Sequence, residues 1–285
     1  MNPHKYKIQT SLTLIRLIGV VTALTLLSGC QPVAKETFQD ALLEKPSFRI
    51  HLISRDISNW LGVLSYQEVL EQYEFENKLN TEEQTLVRGL RIADRLIEQA
   101  FILYPFSKSW GWNLNVLASN EFNASCRAGG KMIVNSYILE GNRFDDHQVA
   151  LIIGHEIAHA LLEHNRSRYG RYAVAVGGGS VLSQSFKMGL MRRDSLHSGI
   201  ESLSLPIHRQ EEREADLLGL ALMTKAGFDP VKGASFWQTT SDVPAGSKIS
   251  TRLELYESTH PTDQERLEFL SKAAFQFAQS KMTHK

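Results

Sequence analysis

The sequence is poor in cysteine, has no charge imbalance and contains no very long apolar run. Its 285 residues include two Cys, and 31 Lys and Arg balance 31 Asp and Glu. Two thiols cannot build a disulfide scaffold or a four-thiolate zinc site. A polyanion-binding protein normally carries a basic surplus, so nucleic acid is not expected as a partner. With 42% hydrophobic and 22% charged residues, the chain has an ordinary globular composition, and its function must lie in a local site.

The first thirty residues have the pattern of a secretory signal. Residues 1–16 carry basic side chains and no acid, residues 17–27 are mainly apolar, and Ser28-Gly29-Cys30 follows. The apolar run is shorter than the roughly 20 residues that cross a bilayer. Residues 28–30 with the preceding Leu27 resemble the lipobox of bacterial lipoproteins, which predicts a signal peptide over 1–29. A plain signal peptide that happens to end near a cysteine is the alternative.

The lipobox resemblance also predicts where the protein resides. It implies that Cys30 becomes acylated and anchors the chain in a lipid bilayer. Gln31 at the next position resembles outer-membrane sorting in a Gram-negative bacterium, with the protein facing the periplasm. Residues 30–46 show little periodicity and are expected to form a tether, and 47–285 a single domain. Cys126 would then be the only free thiol, expected as a small buried apolar side chain.

Helical signals dominate that domain. Trp112 to Val116 alternate with asparagines as in a strand, and Met132-Ile133-Val134 after a Gly pair is a second strand candidate. The periodicity predicts helices over residues 81–101 (begun by a capping box of Thr81 and Gln84), 146–163, 209–226 and 262–280 (begun by Thr262 and Glu265). The predicted class is therefore α+β, helix-rich with one small sheet.

His155-Glu156-Ile157-Ala158-His159 lies inside the predicted helix over 146–163. Two His at i and i+4 are about 40° apart around a helix and about 6 Å apart along it, so both imidazoles can reach one tetrahedral zinc ion. Glu156 comes about 100° around from His155, beside the open side of such a metal. Zinc lowers the pKa of water to about 7, and this carboxylate can take the proton. A helix with two solvated His is the alternative, which the apolar neighbours oppose.

A third ligand is required, and two segments offer one. His164 follows His159 by five residues, about 140° around a continuing helix, so it is expected to point away as a surface histidine. The acidic run Glu211-Glu212-Arg213-Glu214-Ala215-Asp216 is the better source. One of its carboxylates can bind zinc while Asp216 accepts the spare N–H of a ligand histidine, most simply His155. Taken alone, the run has the composition of a solvated face.

These residues resemble zinc metallopeptidases of the HtpX and CAAX-prenyl-protease type, particularly their periplasmic lipoprotein members of the BepA and LoiP kind. The resemblance extends from about residue 114 to 266 and covers the His155–His159 motif, an RxxExxAD segment and a late HPxxxxR element at His260. By position it implies Glu212 as third ligand, Asp216 as the partner of a ligand histidine, and one zinc ion per chain. It implies a zincin-like fold whose small sheet lies beside the active-site helix.

The predicted function is that of a zinc endopeptidase. His155, His159 and Glu212 hold the metal, and Glu156 is the general base. An extended substrate is expected to add as a strand along Met132, Ile133, Val134 and Asn135. For His260 three roles stay open: oxyanion stabiliser, gate over the zinc, or anchor of the last helix.

The resemblance implies unfolded or misfolded envelope proteins as substrates and quality control at the outer membrane, with outer-membrane assembly machinery as a possible partner. Three alternatives are a lipid-anchored chaperone whose zinc site is structural or self-blocked, an envelope interaction module without metal, and a zinc hydrolase of peptidoglycan cross-links.

Overall fold

The structure is a computed structural model that describes residues 51–141, 143–175, 197–241, 260 and 264–283, with side chains described for 51–141, 143–171, 208–236, 260 and 264–279. The leader, Cys30, the tether and Thr262 lie outside the described residues. In chain order the elements are α1 (Arg55–Phe75), α2 (Glu83–Leu103), a 3-10 turn (Pro105–Ser109), β1 (Asn113–Leu117), β2 (Ala124–Arg127), β3 (Lys131–Asn135), α3 (Ser136–Leu139), α4 (Asp146–Leu161), α5 (His164–Ala175), α6 (His197–Lys225), α7 (Pro230–Ser241) and α8 (Gln264–Thr283). The predicted helix-rich α+β class is confirmed.

The three strands form one sheet in the order β1-β3-β2. β1 runs parallel to β3, with Asn113 opposite Lys131, and β2 runs antiparallel to it, with Ala124 opposite Val134. β3 is therefore the central strand, and both of its edges are already hydrogen-bonded. The prediction that a substrate adds along Met132–Asn135 is wrong for this reason, because only an edge strand can accept another strand.

α4 is the central helix of the domain. The Asp145 side chain caps α4 by accepting hydrogen bonds from the backbone N–H groups of His147 and Gln148. The side-chain oxygen of Gln148 in turn accepts a hydrogen bond from the backbone N–H of Asp145. Every residue from Val149 to Leu161 is buried. α4 packs against α2, α6, α7 and β2, so it has no solvated face. A helix surrounded in this way can hold polar side chains only where they have partners.

Two helix starts differ from the predicted ones. The cap of α2 is Glu82, without a side-chain cap bond, so the capping box predicted at Thr81 is wrong. The preceding Asn80 is tied to β1, because its N–H donates to the Val116 carbonyl and its side chain accepts from the Val116 N–H. This pairing holds Asn80 in a left-handed conformation, with φ 51°, directly before Thr81. α6 begins at His197, twelve residues before the predicted start at 209.

α1, a helix that was not predicted from the sequence, covers the sheet face opposite α4. Its Tyr66 and Val69 pack against Leu117 of β1 and Ile133 of β3. Within the described residues, no helix combines the length and apolarity that crossing a bilayer requires.

α4 and α6 approach each other closely at Gly154 of α4 and Gly219 of α6. A Cβ added at Gly219 would lie 2.9 Å from the His155 backbone nitrogen and 3.1 Å from its Cα. A Cβ added at Gly154 would lie 3.2 Å from the Gly219 carbonyl oxygen. A side chain at Gly219 would therefore force the backbones apart, and one at Gly154 would be tight. The crossing places the polar stretch of α6 directly beside that of α4.

Replacing Gly219 by Ala tests this crossing. We expect the added methyl to push α6 away from α4, lowering the free energy of unfolding by about 1–3 kcal/mol and lowering the zinc content. Chemical denaturation and elemental analysis measure the two effects. Gly111→Ala is the control, because its Cβ would meet only the mobile Lys131 Nζ at 3.0 Å. Wild-type stability and zinc content in Gly219→Ala would contradict the proposed role of the crossing.

Candidate metal centre

Four buried side chains from three parts of the fold converge beside this crossing. They are His155 and His159 of α4, Glu212 of α6 and His260, and one ligand atom of each lies within 4.8 Å of the others. The Nε2 atoms of His155 and His159 are 3.0 Å apart. Each lies 3.3 Å from an oxygen of the Glu212 carboxylate. The structure therefore brings together the three side chains that the sequence and the family resemblance suggested as metal ligands.

The donor spacings fit a tetrahedral zinc ion. Zinc binds nitrogen and oxygen at about 2.0–2.2 Å, so two donors at adjacent corners of a tetrahedron are about 3.3 Å apart. The separations among His155, His159 and Glu212 are 3.0–3.3 Å. Two imidazole nitrogens and a carboxylate oxygen are also donors that zinc prefers. The donor set of this buried cluster therefore fits zinc as the cofactor.

His260 completes the same set. Its Nδ1 lies 3.2 Å from His155 Nε2 and 3.0 Å from Glu212 Oε2. Its other ring nitrogen, Nε2, lies 3.4 Å from Glu156 Oε1. His260 therefore bridges the ligand set and the carboxylate predicted as general base. Of its three predicted roles, this placement favours the two that act at the metal.

Asp216 faces the other side of His155. Its Oδ1 lies 2.9 Å from His155 Nδ1. Arg266 of α8 donates to both Asp216 oxygens at 2.8 and 2.9 Å, and its Nη1 lies 3.0 Å from Glu212 Oε2. Asp216 thus lies where the sequence placed it. Arg266, which the sequence identified only as part of a late motif, joins the two carboxylates.

Burial and the ion pairs with Arg266 shift the pKa values of Glu212 and Asp216 in opposite directions. Burial opposes charging of the Glu212 and Asp216 carboxyls, but nearby His260, His159 and Arg266 hold the pKa of Glu212 well below its usual range. Arg266 likewise lowers the pKa of Asp216 against the effect of burial. Both carboxylates are therefore ionised at neutral pH. An ionised Glu212 is the form that can bind a metal.

The three histidines do not titrate alike. Burial disfavours the protonated form of each, and it lowers the pKa of His159 and of His260. For His155, Asp216 and Glu212 outweigh burial and raise the pKa to about 9. Hydrogen bonds to both Asp216 and Glu212 add to the effect of their charge and account for the rise at His155. A metal ion that binds His155 at neutral pH must therefore displace a proton.

The position of His164 differs from the one predicted from the sequence. It is fully buried, and its Nδ1 lies 2.8 Å from Nδ1 of His159, so the prediction of a surface histidine pointing away is wrong. The rotation of about 100° per residue applies only within a continuous helix. α4 ends at Leu161, and Glu163 has φ 57°, so α5 starts afresh at His164 in a new direction. No local sequence signal marks this break.

The acidic run is not a solvated face. Glu211 is buried and accepts from Arg171 at 3.3 Å, and Glu214 Oε2 lies 3.4 Å from His164 Nε2.

Cys126 is buried, as expected, and burial raises the pKa of its thiol. It is therefore an unreactive thiol near the site.

A cleft leads from the metal centre along the sheet. It has a volume of about 340 Å³, begins at Glu156, His159 and His260, and ends against Val69 and Tyr73 of α1. The whole of β2 lines it. Within the described part of the chain, β2 is the sheet edge on this side. A buried metal set at one end of an edge strand is the arrangement of a metallopeptidase active site.

Comparison with known proteins agrees with this class. The model of Peptidase family M48 matches residues 90–274, and the chain belongs to that family. Human mitochondrial metalloendopeptidase OMA1 is 28% identical over 234 residues, covering 79% of this chain and 44% of the relative. The OMA1 of Schizosaccharomyces pombe is 26% identical over 221 residues, covering 77% and 61%. The beta-barrel assembly-enhancing protease of Escherichia coli K12 is 25% identical over 162 residues, covering 53% and 32%. The chain thus spans less than two thirds of each of these relatives.

Asp216→Asn tests whether the Asp216 carboxylate helps His155 to bind a metal ion. The amide loses the charge that faces His155 and Arg266, so we expect zinc affinity to fall roughly 10–100-fold. Chelator competition measures the affinity, and Glu268→Gln on the exposed side of α8 is the control. An unchanged dissociation constant for Asp216→Asn would show that His155 needs no carboxylate to bind the metal.

Proposed function

We propose that this protein is a zinc-dependent endopeptidase, with His155, His159 and Glu212 as ligands and one zinc ion per chain. The observation that carries the proposal is the position of Glu156, which is buried on α4 between the ligand set and the cleft along β2. It is a carboxylate placed to act on a water molecule beside a peptide in that cleft. The resemblance to the HtpX and CAAX-prenyl-protease type remains a prediction.

A bound zinc ion would supply Lewis acidity, which acidifies water and polarises the scissile carbonyl. The chain's own residues do the rest. Glu156 accepts the proton of the attacking water and returns it to the leaving amine. Glu212, held ionised by Arg266 and the histidines, neutralises part of the metal's charge. Burial of the site excludes competing water and strengthens each of these interactions.

The substrate strand is better assigned to β2 than to β3. The Asn135 N–H donates to the Asn123 carbonyl at 2.9 Å, so by alternation the backbone groups of Ala124 and Cys126 point away from β3 toward the cleft. Asn165 of α5 already donates to the Cys126 carbonyl at 3.0 Å. A substrate backbone would therefore pair mainly with Ala124. Pairing of this kind requires an extended peptide, which favours unfolded segments and loops.

The position of His260 supports a second candidate function, that of a chaperone whose zinc site is structural or self-blocked. Its Nδ1 stands at tetrahedral spacing from His155 and Glu212, so it could be a fourth ligand. Zinc with four protein ligands is usually structural, as expected of a lipid-anchored chaperone or assembly factor. We favour a reversible block, because the Glu156 carboxylate lies 3.4 Å from the same ring and would have no role in a structural site.

Glu156→Gln separates the enzyme from the chaperone. Loss of the general base should lower kcat for casein roughly 10²–10⁴-fold while zinc content stays at one per chain. Glu98→Gln, on the exposed face of α2, is the matched control. If zinc-loaded wild type cleaves neither casein nor other unfolded chains, the chaperone is favoured. Cleavage of muropeptides instead of casein would indicate a peptidoglycan hydrolase.

His260→Ala tests the block. If His260 closes the site in about 90% of molecules, its removal should raise kcat/KM roughly tenfold, with zinc retained by three ligands. Peptide cleavage and elemental analysis give the two values. A loss of activity with zinc retained would make His260 an oxyanion stabiliser, and no change in either value would exclude both roles at the metal.

We further propose a lipoprotein of the outer membrane that faces the periplasm and clears misfolded envelope proteins. The support is the Leu27-Ser28-Gly29-Cys30 sequence together with Gln31, and similarity to a relative named for beta-barrel assembly. Outer-membrane assembly machinery would then be a partner. The relatives named as mitochondrial belong to another compartment, so the location depends on the leader at residues 1–29.

Cys30→Ser tests the anchor. With the acceptor thiol removed, we expect loss of palmitate labelling and of the membrane-bound form after expression in a Gram-negative host. Cys126→Ser is the control for the other thiol, which is buried in the core. Soluble, unlabelled wild type would contradict acylation and leave a plain signal peptide.

A further inference from the structure

We propose that His164 is a positioning residue that orients the ligand His159 through a chain of three side chains, His159, His164 and Glu214. The inference rests on the proposed zinc binding. It assigns a function to a buried imidazole that is not itself within the ligand set.

The geometry of the chain is specific. The Nδ1 atoms of His159 and His164 are 2.8 Å apart, and the two rings meet edge to face at 76°. Nε2 of His164 lies 3.4 Å from Glu214 Oε2. His164 is fully buried, whereas the Glu214 side chain is 13% exposed. The chain thus leads from the ligand set toward the surface of the domain.

For neutral rings, one proton arrangement satisfies these contacts and also presents the lone pair of His159 Nε2 to a metal. His159 presents Nε2 to Glu212 and His155, so its metal-binding form carries its proton on Nδ1. That N–H must donate to His164 Nδ1, because two nitrogens 2.8 Å apart share a single proton. The proton of neutral His164 is then on Nε2, which faces the Glu214 carboxylate. The chain therefore selects the tautomer of His159 that can bind a metal.

The two histidine ligands are consequently supported in different ways. His155 faces the Asp216 carboxylate directly at 2.9 Å. On its Nδ1 side, His159 is connected to the Glu214 carboxylate through His164. Fixing the ring and tautomer of a ligand in this manner is typically worth 10–100-fold in metal affinity.

The backbone is built to bring His164 to this place. Glu163 has φ 57°, and its buried carboxylate accepts from Arg55 at 2.7 Å and from Arg166 at 3.2 Å. These two ion pairs fix the reversal between α4 and α5. The reversal returns His164 to the side of His159, where a continuous helix would not have placed it.

The test compares His164→Leu with His164→Asn. The two side chains have similar size and shape, and both remove the contact with Glu214. Only Asn offers an oxygen near the position of Nδ1 that can accept from His159. We expect zinc affinity, from chelator competition, to fall 10–100-fold in His164→Leu and about threefold or less in His164→Asn. The Co²⁺ absorption spectrum should be altered in His164→Leu and close to wild type in His164→Asn.

Two results overturn the proposal: wild-type affinity in His164→Leu, or equal weakening in both variants, which would mean that His164 only fills the core. If His164→Leu does not fold, Glu214→Ala replaces it. It should weaken zinc binding severalfold, and unchanged affinity would overturn the proposal. Absence of zinc from wild-type protein would refute the metal centre itself, whereas a zinc-loaded wild type with unaffected variants would refute only the role of His164.

Discussion

The site depends on the close crossing of α4 and α6. Gly154 and Gly219 let the two backbones approach so closely that a Cβ at Gly219 would lie 2.9 Å from the His155 nitrogen. One turn of α4 then presents His155 and His159, and Glu212 and Asp216 lie on the turns of α6 that precede Gly219. Because each helix is continuous through the crossing, the carboxylates cannot move relative to the imidazoles without unpacking the core. The backbone contact thus brings the two helical segments close enough for their side chains to place donor atoms 3.0–3.3 Å apart.

This crossing buries several charged groups close together, and Arg266 offsets the cost of burying the carboxylates. Burying a carboxylate without a partner costs several kcal/mol, and here two are almost completely buried. Arg266 binds both oxygens of Asp216 and lies 3.0 Å from Glu212, so one cation compensates two anions. This balance keeps both carboxylates ionised, one to bind a metal and one to face His155. The late motif of the sequence therefore supports the ligands from a third helix.

The sequence predicted the parts of the site that lie within one helix. The i and i+4 spacing of His155 and His159, and of Glu212 and Asp216, is a property of a single helix, and the family resemblance supplied the pairing of the two segments. Prediction failed where the backbone changes direction or where an element is short. β2 has only four residues, Ala-Ser-Cys-Arg, and their alternating burial is too brief to be recognised from the sequence. Because β2 was not predicted, β3 was treated as a strand with an open edge. The start of α2 was displaced because Asn80 pairs with β1, a contact between residues 36 apart in sequence.

The error at His164 had the largest consequence, and its cause is physical. A non-glycine residue with positive φ is strained, and nothing in the local sequence around Glu163 identifies it. The strain is offset by long-range contacts, since Arg55 belongs to α1, more than one hundred residues earlier. The same reversal turns His164 toward His159 and carries Asn165 to the Cys126 carbonyl of β2. A single turn stabilised from α1 therefore connects the proposed ligand His159 to the strand that lines the cleft, so the proposed metal centre and the proposed substrate strand share one support.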